Sequence, residues 1–265
     1  MAMTETNRRP APVRRRIVVR RVEQLSPNFV RVFFGGDELE GFSVAGPAPH
    51  IKLGFAAPGE VEFAWPERVP GQPPFGGRPP TRTFTPRAFD AASNELAVDF
   101  YLHGEGVAST WAREAGPGSV AGVSGPSRPY RVAEEVDGYL IAGDETAIPA
   151  IATLLEALGG RTPATVVLEL ADLEDSAALG PAAPAEVLRV QRADADVAGA
   201  ALRSALVALP LSGNTRVWVA SEALAIRQIR RFLLDERAIP ARELTTRGYW
   251  KFGEANHPDH DYGED

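Results

Sequence analysis

The spacing of apolar runs changes character near residue 132, and that change constrains the fold more than any single motif. Ahead of it, β-branched and aromatic runs are short and close together, at 16–20, 28–34, 50–55 and 95–103, broken by Ser26-Pro27, Gly35-Gly36 and a Pro- and Gly-dense loop over 66–80. One helix alone is indicated there, from about Val107 to Glu114. Many short strands with one helix indicate an antiparallel barrel. Beyond residue 132, apolar strands at 138–143, 165–170, 186–190 and 216–220 alternate with helical periodicity over 144–158, 196–208 and 222–235. That alternation predicts a parallel sheet with crossover helices. The expectation is a two-domain chain: a disordered arm at 1–12, an antiparallel β-barrel domain at 13–131, an α/β parallel-sheet domain at 132–253 and an acidic mobile tail at 254–265.

The 265 residues, 44% of them apolar and 24% charged, suffice for two cores. No apolar run approaches the ~20 residues of a membrane-spanning helix, so no membrane insertion is expected. Arg8-Arg9 has no apolar segment behind it, which argues against a secretory signal and for a cytoplasmic protein. The absence of cysteine excludes disulfides, a cysteine nucleophile and a cysteine-ligated cluster within this chain. A net charge of −7 argues against general nucleic-acid binding. Lysine occurs only at Lys52 and Lys251; every other basic residue apart from histidine is arginine.

Four constellations can carry chemistry. Arg82-Thr83-Phe84-Thr85 places a guanidinium, an aromatic ring and two hydroxyls within four residues, with Arg82 and Phe84 on one face of a strand. It reads either as a cradle for a nucleotide cofactor with a flat ring or as an edge strand ended by Pro86. The segment from His103 to Trp111 joins a strand to a helix through Gly104 and Gly106, with Ser109 where an N-cap presents amides to a phosphate; an ordinary capped helix is the alternative. Gly143-Asp144-Glu145-Thr146-Ala147-Ile148-Pro149 leaves the first parallel strand where dinucleotide-binding sheets present their phosphate loop, although acids there also suit a bare helix start. Thr246 to Gly253 sets Tyr249 and Trp250 between Arg247 and Lys251, as a ring cap or a terminal strand. His257 and His260 with Asp259 and Asp261 invite a metal reading, but a mobile tail preorganises no site, and no metal is expected.

In this order the motifs resemble the siderophore-interacting protein family, a branch of the ferredoxin–NADP reductase-like flavoproteins. The resemblance covers roughly 14–253 and includes Trp218-Val219-Ala220-Ser221-Glu222 and Gly248-Tyr249-Trp250. It implies a six-stranded FAD-binding barrel, an α/β domain for NADH or NADPH, and reduction of a ferric siderophore with release of iron in the cytoplasm. By it Arg82 holds the FAD phosphate, while Thr83, Phe84 and Thr85 line the flavin. Asp99, Phe100, Leu102 and His103 follow the ring and ribityl chain; Ala108, Ser109 and Trp111 belong to the pyrophosphate side. Gly143, Asp144, Glu145, Thr146 and Ala147, with Ser221 and Glu222, form the nicotinamide side. If the family's basic substrate pocket is kept, Lys52, Arg128, Arg247 and Lys251 supply it, with Lys52 and Lys251 converging on the cleft. Phe84 replaces the family's usual tyrosine, Val107 a common proline, and Ser221 a common glycine, which narrows the second nicotinamide loop. For the nicotinamide ribose, Glu169 and Asp172 favour NADH, and Arg227, Arg230 and Arg231 favour NADPH. A flavin reductase serving a separate protein acceptor, or a non-catalytic siderophore binder, are the other readings. The oligomeric state stays open, with a monomer favoured.

Overall fold

The computed structural model describes residues 13–56, 63–66, 79–181, 184–193, 197–211, 213–257 and 260–261. The arm at 1–12 and parts of the 66–80 loop and the tail lie outside the described residues.

Seven strands, β1 (Arg14–Ser26), β2 (Phe29–Gly35), β3 (Ile51–Gly54), β4 (Thr81–Phe84), β5 (Pro86–Asp90), β6 (Glu95–Tyr101) and β7 (Val120–Ser124), pair antiparallel in the order β4-β3-β7-β1-β2-β6-β5. The two edge strands, β4 and β5, are consecutive in the chain with only Thr85 between them. A sheet whose opposite edges are joined by one residue must curl until they meet, which makes it a barrel. The count exceeds the implied six because the chain breaks its pairing at Thr85. Ile17, Val32, Phe34, Ile51, Leu53, Leu96 and Val98 are fully buried inside. Gly54 and Gly122 are cross-strand partners on β3 and β7, and Phe63 and Trp65 lie across them; a Cβ at Gly122 would overlap the Phe63 ring. One helix, α1 (Val107–Glu114), packs on the barrel through Trp111 against Phe34, Phe55 and Phe100.

The second sheet contains β8 (Gly138–Asp144), β9 (Ala164–Leu170), β10 (Glu186–Gln191), β11 (Thr215–Glu222), β12 (Leu244–Trp250) and β13 (His260–Asp261), in the order β10-β9-β8-β11-β12-β13. The first five are parallel; β13 runs antiparallel to β12. Helices α2 (Ile148–Leu158), α3 (Ala200–Ala208) and α4 (Ala223–Arg231) provide the crossovers. The predicted helix over 144–158 begins later, because Asp144 ends β8 and Glu145–Ala147 form a 3-10 turn. Strand order reverses between β8 and β11, so their carboxyl ends mark the switch point where such sheets bind ligands. Part of the tail expected to be mobile is paired. Lys251 and Glu254 form a bridge, and His260 and Asp261 pair with Gly248 and Arg247, since the exposed edge of β12 accepts another strand.

A buried carboxylate joins the two sheets. Asp175, in the 3-10 turn Leu173–Leu179, is fully buried and accepts hydrogen bonds from Ser26 Oγ at 2.7 Å, Asn28 N at 3.0 Å and Asn28 Nδ2 at 3.0 Å. Phe29 beside it belongs to the same buried cluster as Ile141, Ile151 and Trp218 of the second sheet. Farther along, Thr153 Oγ1 on α2 accepts from Ala48 N at 3.0 Å, and Arg87 on β5 pairs with Glu156 at 2.5 Å. Asp175→Ala strands one buried donor, Ser26 Oγ, and two half-buried ones on Asn28. It should lower stability by about 2–4 kcal/mol, read as a fall in thermal midpoint of roughly 5–10 °C.

Candidate active site

A cavity of about 600 Å³ opens between the barrel and the carboxyl edge of the parallel sheet. The barrel contributes Arg82, Thr83, Phe84 and Thr85, all four of which line it. Strand alternation does not separate them: β4 is an edge strand whose residues are all half-buried. Arg82 Nη1 donates to Thr81 O at 2.8 Å, and among the described residues no carboxylate lies within ion-pair distance of it. Partial burial lowers its pKa, which stays that of a cation at any physiological pH. The Phe84 and Phe100 rings, 4.6 Å apart, form an aromatic wall, backed by Trp111 behind Phe100. Asp99 also lines the cavity, but both its oxygens are engaged by Arg31, from Nε at 2.6 Å and Nη2 at 2.8 Å across the β2–β6 pairing. Arg31, which sequence reasoning missed, therefore balances the charge behind the wall.

At α1 the N-cap is Gly106, not Ser109. Ser109 lies inside the first turn, where its hydroxyl accepts from His103 N at 3.1 Å and pins the strand–helix connection. The first intrahelical bond is Thr110 N to Gly106 O, so the amides of Val107, Ala108 and Ser109 have no intrahelical partner, and Ala108 and Ser109 line the cavity. An anionic group seated there would meet those amides. His103 stacks on Tyr101 with ring centroids 5.5 Å apart. Burial of that face, then Arg113, lower its pKa, with Asp144 opposing the shift and Arg82 adding to it. Burial likewise raises the pKa of the Tyr101 phenol and keeps it protonated.

On the sheet side Glu145, Thr146 and Arg192 reach the cavity. Asp144 does not: it is fully buried, accepting from Thr146 N at 2.9 Å, Thr146 Oγ1 at 2.5 Å, Ser221 Oγ at 2.8 Å and Trp250 Nε1 at 2.7 Å. One carboxylate thus ties the ends of β8, β11 and β12 and fixes the indole of Trp250, which lines the cavity. Ser221 is buried in this cluster and narrows no loop. Glu222 caps α4, accepting from Leu224 N at 2.6 Å and Ala225 N at 2.9 Å, and its other oxygen accepts from Phe252 N at 3.3 Å, which anchors the C-terminal segment. Gly143 and Ala147 pack internally: a Cβ at Gly143 would stand 2.5 Å from Ala147 Cβ and 2.6 Å from Ala220 O. Glu169 is not open to a ribose. Glu169 accepts from Gly199, Ala201 and Leu202 N at the start of α3, and Asp172 caps the next 3-10 turn.

The expected basic pocket is only partly assembled. Lys251 lines the cavity and pairs with Glu254, whose pKa this hydrogen bond lowers. Lys52 is exposed outside the lining, since Ile51 and Leu53 take the inward positions; it stands in register between Thr83, which lines the cavity, and Ser124. Arg128 is exposed one residue beyond Ser127, whose hydroxyl accepts from His50 N at 2.8 Å. Arg247 on β12 pairs with Ala220 and Asp261 in register and does not line the cavity. Leu102 and Trp111 also leave the lining, because both pack on the barrel core. Among the described residues no metal-ligating cluster occurs, and no helix is long and apolar enough to cross a membrane.

With this geometry in view, the chain matches a siderophore-interacting FAD-binding domain over residues 18–130 and a siderophore-interacting protein domain over residues 136–253. It belongs to the siderophore-interacting protein family. One relative is the NADPH-dependent ferric-chelate reductase of Escherichia coli, 31% identical over 94% of this chain and 99% of that protein. Another is a ferric vibriobactin reductase of Vibrio cholerae, 31% identical over 88% of each. The fold superimposes on a siderophore utilization protein from T. fusca with a TM-score of 0.82 and 31% identity, covering 94% of this chain and 96% of that one. The chain is accordingly a flavin-dependent oxidoreductase of this family, with FAD as its cofactor. The barrel wall suits FAD: a cation without a carboxylate partner, an aromatic wall and unbonded helix amides lie along one cavity. The packing role of Gly143 is open to test. Gly143→Ala should cost about 1–3 kcal/mol of stability through overpacking, with FAD content per chain unchanged.

Proposed function

We propose that the chain uses NAD(P)H to reduce a ferric siderophore in the cytoplasm, releasing iron as Fe(II), with 13–131 serving FAD and 132–253 the nicotinamide. The observation that carries this reading is the convergence of Arg82-Thr83-Phe84-Thr85 and Glu145-Thr146 on one cavity, from motifs some sixty residues apart. FAD supplies the step from a two-electron hydride donor to a one-electron acceptor such as Fe(III). In this reading Arg82 and the α1 amides hold its phosphates, and Phe84, Thr85 and Phe100 bound the ring. Trp250, held by Asp144, and the C-terminal segment form the opposite wall and limit water at the reacting face. Hard oxygen ligands hold Fe(III) more tightly than Fe(II), so reduction loosens the complex without any protein ligand to iron. Lys251 faces an anionic chelate in the cavity, with Lys52 and Arg128 behind it along the barrel rim. Glu169, the carboxylate nearest the end of β9, is held by three backbone amides and so does not select a ribose hydroxyl. That supports NADPH as the better donor.

The test is anaerobic turnover of yellow, flavin-loaded protein with NADPH or NADH, a ferric catecholate and a ferrous trap. Ferrous capture with a lower half-saturating concentration for NADPH is expected. Flavin reduction without ferrous capture would direct the electrons to another acceptor, and protein that binds no flavin would end the reading. Lys251→Ala should raise KM for the anionic chelate about three- to tenfold, Lys52→Ala less, each with kcat and FAD content little changed.

A further inference from the structure

We propose that Arg192 is the cavity's binding residue for a phosphate of the nicotinamide dinucleotide, and that Glu145 is a resident carboxylate occupying Arg192 until the dinucleotide displaces it. The inference rests on the nicotinamide-donor reading and adds the residue pair that gates it. Arg192 stands one residue beyond the end of β10, and Glu145 one residue beyond the end of β8, both at the carboxyl edge where parallel sheets take dinucleotides. They meet in the cavity, Arg192 Nη2 to Glu145 Oε1 at 2.7 Å.

The loop after β8 cannot cradle a phosphate by itself. It brings two carboxylates, Asp144 and Glu145; the amide of Thr146 is taken by Asp144; and Pro149, in the first turn of α2, has no amide hydrogen. An anion arriving there needs a cation. Among the described arginine and lysine residues lining the cavity, Arg82 is on the barrel, Lys251 is in the C-terminal segment beside Glu254, and Arg192 alone is on the sheet side.

Both partners tolerate separation. Arg192 reaches Glu169 only at 3.5 Å, and Glu169 keeps three backbone donors at the start of α3. Glu145 keeps the amide of Ala171 at 2.7 Å. Burial, then Asp144, raise the Glu145 pKa, while the Ala171 amide and Arg192 oppose that shift. A salt bridge with a purely structural role has no need to line the cavity.

The test separates the two half-reactions. Flavin-loaded protein is reduced anaerobically by NADPH in stopped flow, and dithionite-reduced protein is separately mixed with ferric 2,3-dihydroxybenzoate. Arg192→Gln should raise the half-saturating NADPH concentration about tenfold, and Glu145→Gln, which frees Arg192, should lower it about threefold or more. The chelate's half-saturation should stay within about twofold in both. Glu145→Gln weakening NADPH as Arg192→Gln does would overturn the proposal and make the pair structural. A shift confined to the chelate would overturn it by giving Arg192 to the substrate. Inorganic phosphate provides a measurement independent of how Arg192→Gln folds: it should compete with NADPH in the unaltered protein and more strongly in Glu145→Gln, and no competition in either overturns the proposal. Failure of the parent reading is distinct, because then neither NADPH nor NADH reduces the flavin of the unaltered protein.

Discussion

The active cavity exists only where two separately built sheets face each other, so everything in it depends on the Asp175 clamp. A carboxylate with no exposure, holding the turn between β1 and β2 through three donors, is costly to dehydrate and costly to leave half-paired. Both penalties are smallest in one geometry, and that gives the contact directional authority that apolar packing around Phe29 lacks. The clamp also lies beside Phe29 and the turn residue Asn28, whose carbonyl accepts from Leu102 N, so the strand end carrying Tyr101 and His103 inherits its position.

A second carboxylate repeats the device inside the sheet. Asp144 collects four donors from three strand ends at the switch point and sets the indole of Trp250 against the cavity. The loop after β8 thereby splits its labour. Gly143, Asp144 and Ala147 shape the backbone, and Glu145 and Thr146 line the cavity. Trp250 and Glu222 between them fasten the C-terminal segment, which explains why a stretch that looks like a mobile tail lines the site.

How much of this was legible depends on the range over which each signal acts. Strand and helix periodicity is local, and it predicted both sheets and α1 with the bounds Val107–Glu114. Barrel closure through Thr85 follows from which strands end up at the two edges of the sheet, which no window of residues contains. Ser109 misled because its hydroxyl type suits an N-cap, whereas Gly106, with extended backbone, takes that place. The aromatic wall was legible from Phe84 and Phe100, but its counter-charge, Arg31, is paired 68 positions away. Arg192 was harder still: it follows a short, largely exposed strand, and its partner lies 47 positions earlier. The only sequence hint was an arginine just past a parallel strand, and this chain has arginines in many such places.

The charges of the cavity resolve an apparent conflict between an acidic protein and anionic ligands. Among the described residues four carboxylates stand at or behind its walls, and each is answered locally: Asp99 by Arg31, Glu145 by Arg192, Glu254 by Lys251, and Asp144 by four hydrogen-bond donors. Charges paired at hydrogen-bond distance contribute little field a few ångströms away, and the net −7 of the whole chain is screened over about 8–10 Å at physiological salt. The potential a ligand meets is therefore set by the cations left near the opening. Arg82, with no carboxylate in reach among the described residues, dominates the barrel side, and Lys251, partly offset by Glu254, the side of the C-terminal segment. Arg192 contributes only after Glu145 lets go. A cavity built this way is nearly neutral until a ligand arrives, and the first anion to displace Glu145 adds a cation to its own binding site.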